Sequence, residues 1–295
     1  MRKLFSLIGI LIIFLISFSG ASIPKPVYSQ RSQYPQCSQY PQNEIYRNIK
    51  FKVPIIMYHS VFIRNNGEYC ISPSQLQKDF DYFKEKEFTP IFIKDLINFK
   101  EKGILLPKKP IIITFDDGFY DNYTRAYPII LKTKTKCVIS VVGKYIDNNY
   151  KDGVLHKTYS NLTYENIREM HASGLVEFQN HSYDMHYLKG RYGMSQKKSE
   201  SFEDYEKILS EDLLKNNKGL LKNTSITCTA VAFPFGKYNK NTIKIIKKLG
   251  FKASFTCNHG INEITRNSDL YLLKRYNRPS GKSSEEFFGK IFKKL

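Results

Sequence analysis

The chain has 295 residues, 41% of them hydrophobic and including 21 Tyr and 21 Phe, enough for one large domain or two small ones with a sizeable core. Its 46 Lys and Arg against 27 Asp and Glu leave a net charge of +19. The lysines are scattered, however, and no helix-turn-helix, zinc finger or aromatic-rich RNA-binding signature accompanies them, so no nucleic-acid partner is expected and an anionic envelope polymer or lipid surface suits the charge better.

Arg2 and Lys3 precede an apolar run from Leu4 to Phe18, followed by Ser19, Gly20 and Ala21. A basic start, a short apolar stretch and small residues describe a secretory signal over residues 1–21. The run is short for a membrane span, which takes roughly 20 apolar residues, although extension through Ile23 would make it an uncleaved anchor. Either form exports the remainder. Residues 22–50 are rich in Pro, Gln, Ser and Tyr and contain a tandem near-repeat, Ser32 to Cys37 (SQYPQC) and Ser38 to Asn43 (SQYPQN). Such a segment cannot bury enough apolar surface to fold alone and reads as a tether to a folded domain over 51–295. Cys37, Cys70, Cys137, Cys228 and Cys257 form no CxxC pair, which argues against a zinc ribbon or a dense disulfide scaffold. One or two disulfides are allowed, no pairing is assignable, and the odd count leaves a thiol over.

From Phe51 onward, apolar runs alternate with amphipathic stretches. The runs are Val53 to Tyr58, Pro110 to Phe115, Cys137 to Val142, Leu175 to Phe178, Thr229 to Phe233, Ala253 to Cys257 and Tyr271 to Leu273. Helices are predicted over Ser74 to Glu87, Asn122 to Lys132, Thr163 to Ser173, Ser201 to Leu221 and Asn241 to Leu249, with Gly174 and Gly250 where a left-handed C-terminal cap is wanted. Short strands apolar on both faces, alternating with helices, predict an α/β fold with about seven parallel strands, a distorted or incomplete (β/α) barrel. In such barrels the chemistry gathers at the C-terminal ends of the strands.

The polar candidates all lie there. The strand ending at Phe115 runs into Asp116, Asp117 and Gly118. Adjacent carboxylates are costly to bury unless a cation or a shared proton relieves them, though an Asp-Gly turn would use the same residues for backbone reasons. His181 and His186 follow the strand ending at Phe178. Five residues apart, they share no helix face, but on a loop they can converge with a carboxylate on one divalent ion and leave a coordination position for water. Ala232 to Gly236 (AFPFG) is by itself a weak strand-to-turn pattern, and His59, closing the first barrel strand, is by itself more often a structural histidine.

Taken together, Thr114 to Gly118 (TFDDG), the paired histidines and Phe233 to Gly236 (FPFG) come in the order and spacing of the polysaccharide deacetylases, carbohydrate esterase family four, and the chain resembles that family from about Lys52 to Pro279. The four residues between His181 and His186, one more than the usual family spacing, and the early Met57-Tyr58-His59 most resemble the poly-N-acetylglucosamine deacetylase branch. The resemblance implies that Asp117, His181 and His186 bind a divalent metal, zinc first, with cobalt or nickel also suitable. It implies Asp116 as general base and the Phe235 amide as an oxyanion donor. The family's late-strand His, its usual general acid, is missing, since that region reads Tyr271 to Arg275 (YLLKR). In the branch resembled, the early His takes that role, which falls to His59. The Arg usually found before the Pro-containing motif is also missing, with Val231 and Ala232 in its neighbourhood, so what supports Asp116 is open.

The implied substrate is an N-acetylglucosamine polymer, exopolysaccharide or peptidoglycan, against which Tyr120, Tyr123, Tyr183 and Tyr187 could stack. Two other readings stand beside it: an amide hydrolase acting on a small molecule, and a non-catalytic glycan- or wall-binding protein with a degenerate site.

Overall fold

Strands that are apolar on both faces have to be buried, and they form the centre of the structure. The computed structural model describes residues 49–62, 67–152 and 160–295. Seven strands make one curled parallel sheet: β1 (Ile55–Tyr58), β2 (Pro110–Phe115), β3 (Cys137–Val141), β4 (Val176–Asn180), β5 (Ala230–Ala232), β6 (Ala253–Phe255) and β7 (Tyr276–Asn277), in spatial order β6-β5-β4-β3-β2-β1-β7. A short strand at Thr89–Pro90 adds to β2. The helices are α1 (Pro73–Glu85), α2 (Ile93–Lys102), α3 (Tyr127–Thr133), α4 (Gly143–Asp152), α5 (Tyr164–Ala172), α6 (Phe202–Thr224), α7 (Lys240–Lys248) and α8 (Ser284–Phe292). This is the expected incomplete barrel. The segment before β7 nearly closes it: Leu273 bridges Phe255, the Thr256 N–H donates to the Leu273 carbonyl, and the Leu273 N–H donates back to Ser254.

Alternation along each strand divides the core in two. Ile56, Ile113, Phe115, Ile139, Phe178 and Val231 face the surrounding helices. Ile55, Ile112, Val138, Ala230, Ala232, Ala253 and Phe255 face inward, where α2 closes the base of the barrel through Ile93, Leu96 and Phe99. The sheet is weakest between β4 and β5, which share a single register pair, Asn180 with Val231. There the Gln179 side-chain oxygen stands in for the ladder, accepting from the Thr229 and Ala230 N–H groups at 2.9 and 2.8 Å.

Several elements depart from expectation. The last strand lies at Tyr276–Asn277, not Tyr271 to Leu273, because Leu272 takes φ +61° and breaks the extended run. The predicted helix from Asn122 begins as a π-helical turn, Asn122–Ala126, and becomes α-helical at α3. Pro128, without an N–H, cannot join a regular ladder there, and a wider turn accommodates it. Helix α2 escaped notice because it starts at Phe92, which offers no side-chain cap; the Asp95 carboxylate accepts the Phe92 N–H instead. Gly174 and Gly250 do follow their helices with φ +72° and +86°. Cys70, Cys137, Cys228 and Cys257 are free thiols. Cys37, the signal and all but the last two residues of the tether lie outside the described residues.

Glu177 sits on the inward face of β4, buried, accepting from Gln179 at 2.9 Å and lying 3.4 Å from the first-turn Lys94 N–H of α2. Burial pushes its carboxyl up to about 7. A folded-state value above the unfolded one means that the native chain holds a proton the unfolded chain has released. Its contribution is therefore fully present below the unfolded pKa of about 4.3 and is lost as pH rises toward neutrality. Glu177→Gln, which keeps an acceptor for Lys94, should match the parent near about pH 4 and exceed it by roughly 3–4 kcal/mol near about pH 8. Denaturant unfolding at the two pH values checks this, and equal stability at both would contradict it.

Candidate active site

The turns leaving β1, β2, β4 and β5 bring the expected residues to one end of the barrel. Asp117 follows β2 with φ +70°, a left-handed conformation unusual for a non-glycine residue and held here by its surroundings. Its carbonyl accepts from Asn161 Nδ2 at 3.2 Å. His181 is fixed at the end of β4 by its N–H, which donates to the Val141 carbonyl. Its Nδ1 lies 2.8 Å from the Ala232 carbonyl. A carbonyl can only accept, so Nδ1 carries the proton and the neutral ring presents the Nε2 lone pair on its other side.

That lone pair points at Asp117. His181 Nε2 and His186 Nε2 lie 3.3 and 3.0 Å from Asp117 Oδ1. Neither contact has hydrogen-bond geometry, and Oδ1 is buried without a hydrogen-bond partner among the described residues. The three ligand atoms lie within 4.8 Å of one another. Three acceptors converging on one point need a cation or a proton between them. Burial acts to lower the His181 pKa, yet the Asp116 and Asp117 charges outweigh it and raise that pKa. Burial likewise opposes ionisation of Asp117, and protonated histidines facing it would overcome that and hold the carboxyl well below the usual range, so a positive charge at this point, proton or metal, is what keeps Asp117 ionised. Two imidazole nitrogens and one carboxylate oxygen, with remaining positions open, suit a divalent metal of the zinc type. The residues present therefore fit the group that the sequence implied.

Asp116 takes no part in that cluster. Its carboxylate is held in a two-point clamp by Arg275, whose Nη1 donates to Oδ1 at 2.8 Å and Nη2 to Oδ2 at 2.7 Å. The guanidinium is fully buried and also donates to the Thr256 carbonyl at 2.9 Å and to Thr114 Oγ1 at 3.2 Å. Burial would raise the Asp116 pKa, but Arg275 and then His181 outweigh it and lower it, so the group is a carboxylate. Arg275 is the residue that sequence reasoning missed. Val231 and Ala232, the neighbourhood where the family resemblance leads one to expect an Arg, are apolar and buried on β5. The available signal was a cation following the apolar Tyr271 to Leu273 run at the mouth end of the barrel.

His59 follows β1 beneath Tyr69, whose ring meets it edge-on at 4.9 Å. Its Nδ1 is buried with no hydrogen-bond partner among the described residues. Burial lowers its pKa against the pull of Asp116 and Asp117. The π-helical turn supports it, as Asn122 Nδ2 donates to the His59 carbonyl at 2.8 Å. Phe235 sits in the turn after β5 with φ +56°, its ring 4.4 Å from that of His186. Of the four tyrosines considered for stacking, Tyr183 is committed elsewhere, with its hydroxyl on Asp147 and its ring under Lys215. Tyr123 donates to Glu169 and lies between Tyr120 and Tyr127. Tyr187 stays exposed beside His186, as do Tyr69, Tyr192 and Phe235 around the same end.

The clamp makes a stability prediction. Arg275→Gln leaves a buried carboxylate without its cation and should cost about 3–5 kcal/mol. Adding Asp116→Asn should recover part of that loss, because an amide needs no counter-charge. Denaturant unfolding of the metal-free single and double variants measures the coupling, and strictly additive losses would contradict it.

Comparison with known proteins agrees with this geometry. The family model for polysaccharide deacetylase matches residues 105–254. The poly-beta-1,6-N-acetyl-D-glucosamine N-deacetylase of Staphylococcus aureus (strain MRSA252) is 30% identical over 207 residues, covering 70% of this chain and 67% of its own. The Escherichia coli (strain K12) protein of the same name is 25% identical over 230 residues, covering 71% of this chain and 34% of its own. Among solved structures, the Streptococcus pyogenes deacetylase PplD in complex with acetate superposes with a TM-score of 0.66 at 23% identity, covering 82% of this chain and 98% of that one. IcaB from Ammonifex degensii gives 0.66 at 23% identity, covering 78% and 93%. The sequence matches, and a barrel whose strand ends carry two histidines and two carboxylates, have one explanation: the chain belongs to the polysaccharide deacetylase family.

Proposed function

We propose that the chain is an exported, metal-dependent deacetylase that hydrolyses N-acetyl groups on an N-acetylglucosamine polymer, with zinc as the ion. The observation that carries this reading is the division of labour between the two carboxylates: Asp117 faces two imidazole nitrogens, while Asp116 is ionised and held apart by Arg275. A binding protein with a degenerate site would have no use for both. The polymer follows from the relatives, which are named for poly-β-1,6-N-acetylglucosamine. Exposed Tyr69, Tyr187, Tyr192 and Phe235 offer aromatic faces for sugar rings. Export rests on the basic and apolar start of the sequence. No helix among the described residues is long and apolar enough to cross a membrane.

Asp117, His181 and His186 would hold the ion, which would supply Lewis-acid chemistry toward the acetamide carbonyl. Asp116, kept ionised and oriented by Arg275, removes a proton from the attacking water. The Phe235 N–H donates to the oxygen of the carbonyl as it becomes an oxyanion. His59 protonates the departing nitrogen. Burial lowers its pKa and so favours the neutral ring before reaction; Asp116 passes the proton it takes from water to His59, which hands it to the amine, and Asp116 returns to a carboxylate. One proton leaves water and one reaches the amine, and the products are acetate and a free amino sugar.

Acetate release from N-acetylglucosamine oligomers and peptidoglycan, measured on metal-stripped and zinc-restored protein, tests the reading. Release that depends on zinc is expected. Asp117→Ala should lose zinc and acetate release together. Asp116→Asn should keep zinc and lose about 10²–10⁴-fold in turnover. Unchanged turnover in Asp116→Asn, or release only from monomers, would overturn the assignment or the polymer, respectively.

A further inference from the structure

The residues between the two histidines form neither helix nor strand, yet five of their eight backbone polar groups are hydrogen-bonded by other elements. The Ser182 N–H donates to Asn180 Oδ1 at 2.8 Å, and the Met185 N–H to Ser182 Oγ at 3.1 Å. The Ser182 carbonyl accepts from the Gly143 N–H at 3.1 Å and from Asn216 Nδ2 at 2.9 Å. The Tyr183 carbonyl accepts from the Lys144 N–H at 2.9 Å. The consecutive N–H groups of Tyr183 and Asp184 converge on one side chain, donating to Asp212 Oδ1 and Oδ2, each at 2.7 Å. Ser182 itself is left-handed, with φ +73°.

The hold comes largely from one face of α6. Asp212 takes the two amides, Lys215 places its ammonium 3.8 Å from the centroid of the Tyr183 ring, and buried Asn216 takes the Ser182 carbonyl. The start of α4 closes against the same loop so tightly that a Cβ on Gly143 would lie 2.7 Å from the Tyr183 ring and 2.8 Å from Asn216 Oδ1. Two neighbouring N–H groups aimed at one point form an anion-binding concavity. A carboxylate gives each N–H its own oxygen, whereas an amide in the same orientation would turn its own N–H2 toward one of them.

We propose that Asp212 is a positioning residue for the metal centre: by accepting the Tyr183 and Asp184 N–H groups it sets the loop shape that brings His181 and His186 onto one ion. Asp212 hydrogen-bonds the loop backbone between the two histidines, so its effect passes through that backbone. The inference rests on the metal-site reading above.

The full chain, stripped of metal, is titrated with zinc against a chromophoric chelator, while circular dichroism and metal-free thermal unfolding report the fold. The parent protein should bind a single zinc. Asp212→Asn should remain folded and bind zinc about 10–100-fold more weakly, the size of effect typical of groups that orient metal ligands. Glu211→Gln, an exposed neighbour on α6, should leave affinity unchanged. If Asp212→Asn loses its fold, Asp212→Ser, whose hydroxyl still accepts one bond, takes its place. Parental zinc affinity in a folded Asp212 variant, even one with a lowered metal-free melting temperature, would overturn the proposal and leave Asp212 a purely structural role. Failure of the parent protein to bind zinc would instead overturn the metal-site reading.

Discussion

Two carboxylates buried side by side at the end of a strand cannot both stay ionised unaided, and the rest of the site answers that constraint. Asp116 and Asp117 receive separate solutions. Arg275 neutralises the first through two parallel hydrogen bonds inside the barrel. The second is left facing two imidazole lone pairs, a cluster that asks for a cation from outside the chain. Asp117 itself takes a left-handed backbone conformation as the chain leaves the strand. The proposed base and the proposed metal ligand are thus adjacent residues of one chemical type, distinguished only by what each one meets.

Arg275 also belongs to the architecture. The strand that completes the sheet, β7, is two residues long and adds one buried aromatic, Tyr276, to the core. It is flanked by two fully buried arginines on opposite faces. Arg275 points inward to Asp116, and Arg278 points outward to Asp79 of α1, donating at 2.9 and 3.0 Å. Asp79 accepts as well from Tyr58 at the end of β1, from Gln75 and from Ser284 at the start of α8. Buried ion pairs of this kind add little net stability over apolar packing, but they are expensive to break and geometrically exacting. Barrel closure and the orientation of the proposed base are therefore set by the same short segment.

Much of this was legible in the sequence. Strands β1, β2, β3, β5 and β6 are apolar runs of β-branched, aromatic and small residues, β4 keeps only Val176 and Phe178 of that pattern, and the C-terminal ends of these strands located the candidate site. Asp116, Asp117, His181, His186, His59 and Phe235 all fall at that end, as their order along the chain implied. What stayed hidden was whatever depends on distant partners. Arg275 looks like one more cation in a Lys-rich chain until the closing segment brings it back against β2. Strand β7 has no apolar run to announce it, and α2 starts without a capping residue. Tyr183 looked like a surface aromatic beside the motif, whereas Asp147 and Lys215, far away in sequence, draw it onto the scaffold.

The most direct measurement is a crystal structure of the protein grown with zinc, with data collected on both sides of the zinc absorption edge. The account predicts an anomalous peak between Asp117 Oδ1, His181 Nε2 and His186 Nε2, with Asp116 still clamped by Arg275 and bound to no metal. An ion coordinated by Asp116, or no ion at the three converging acceptors, would contradict it.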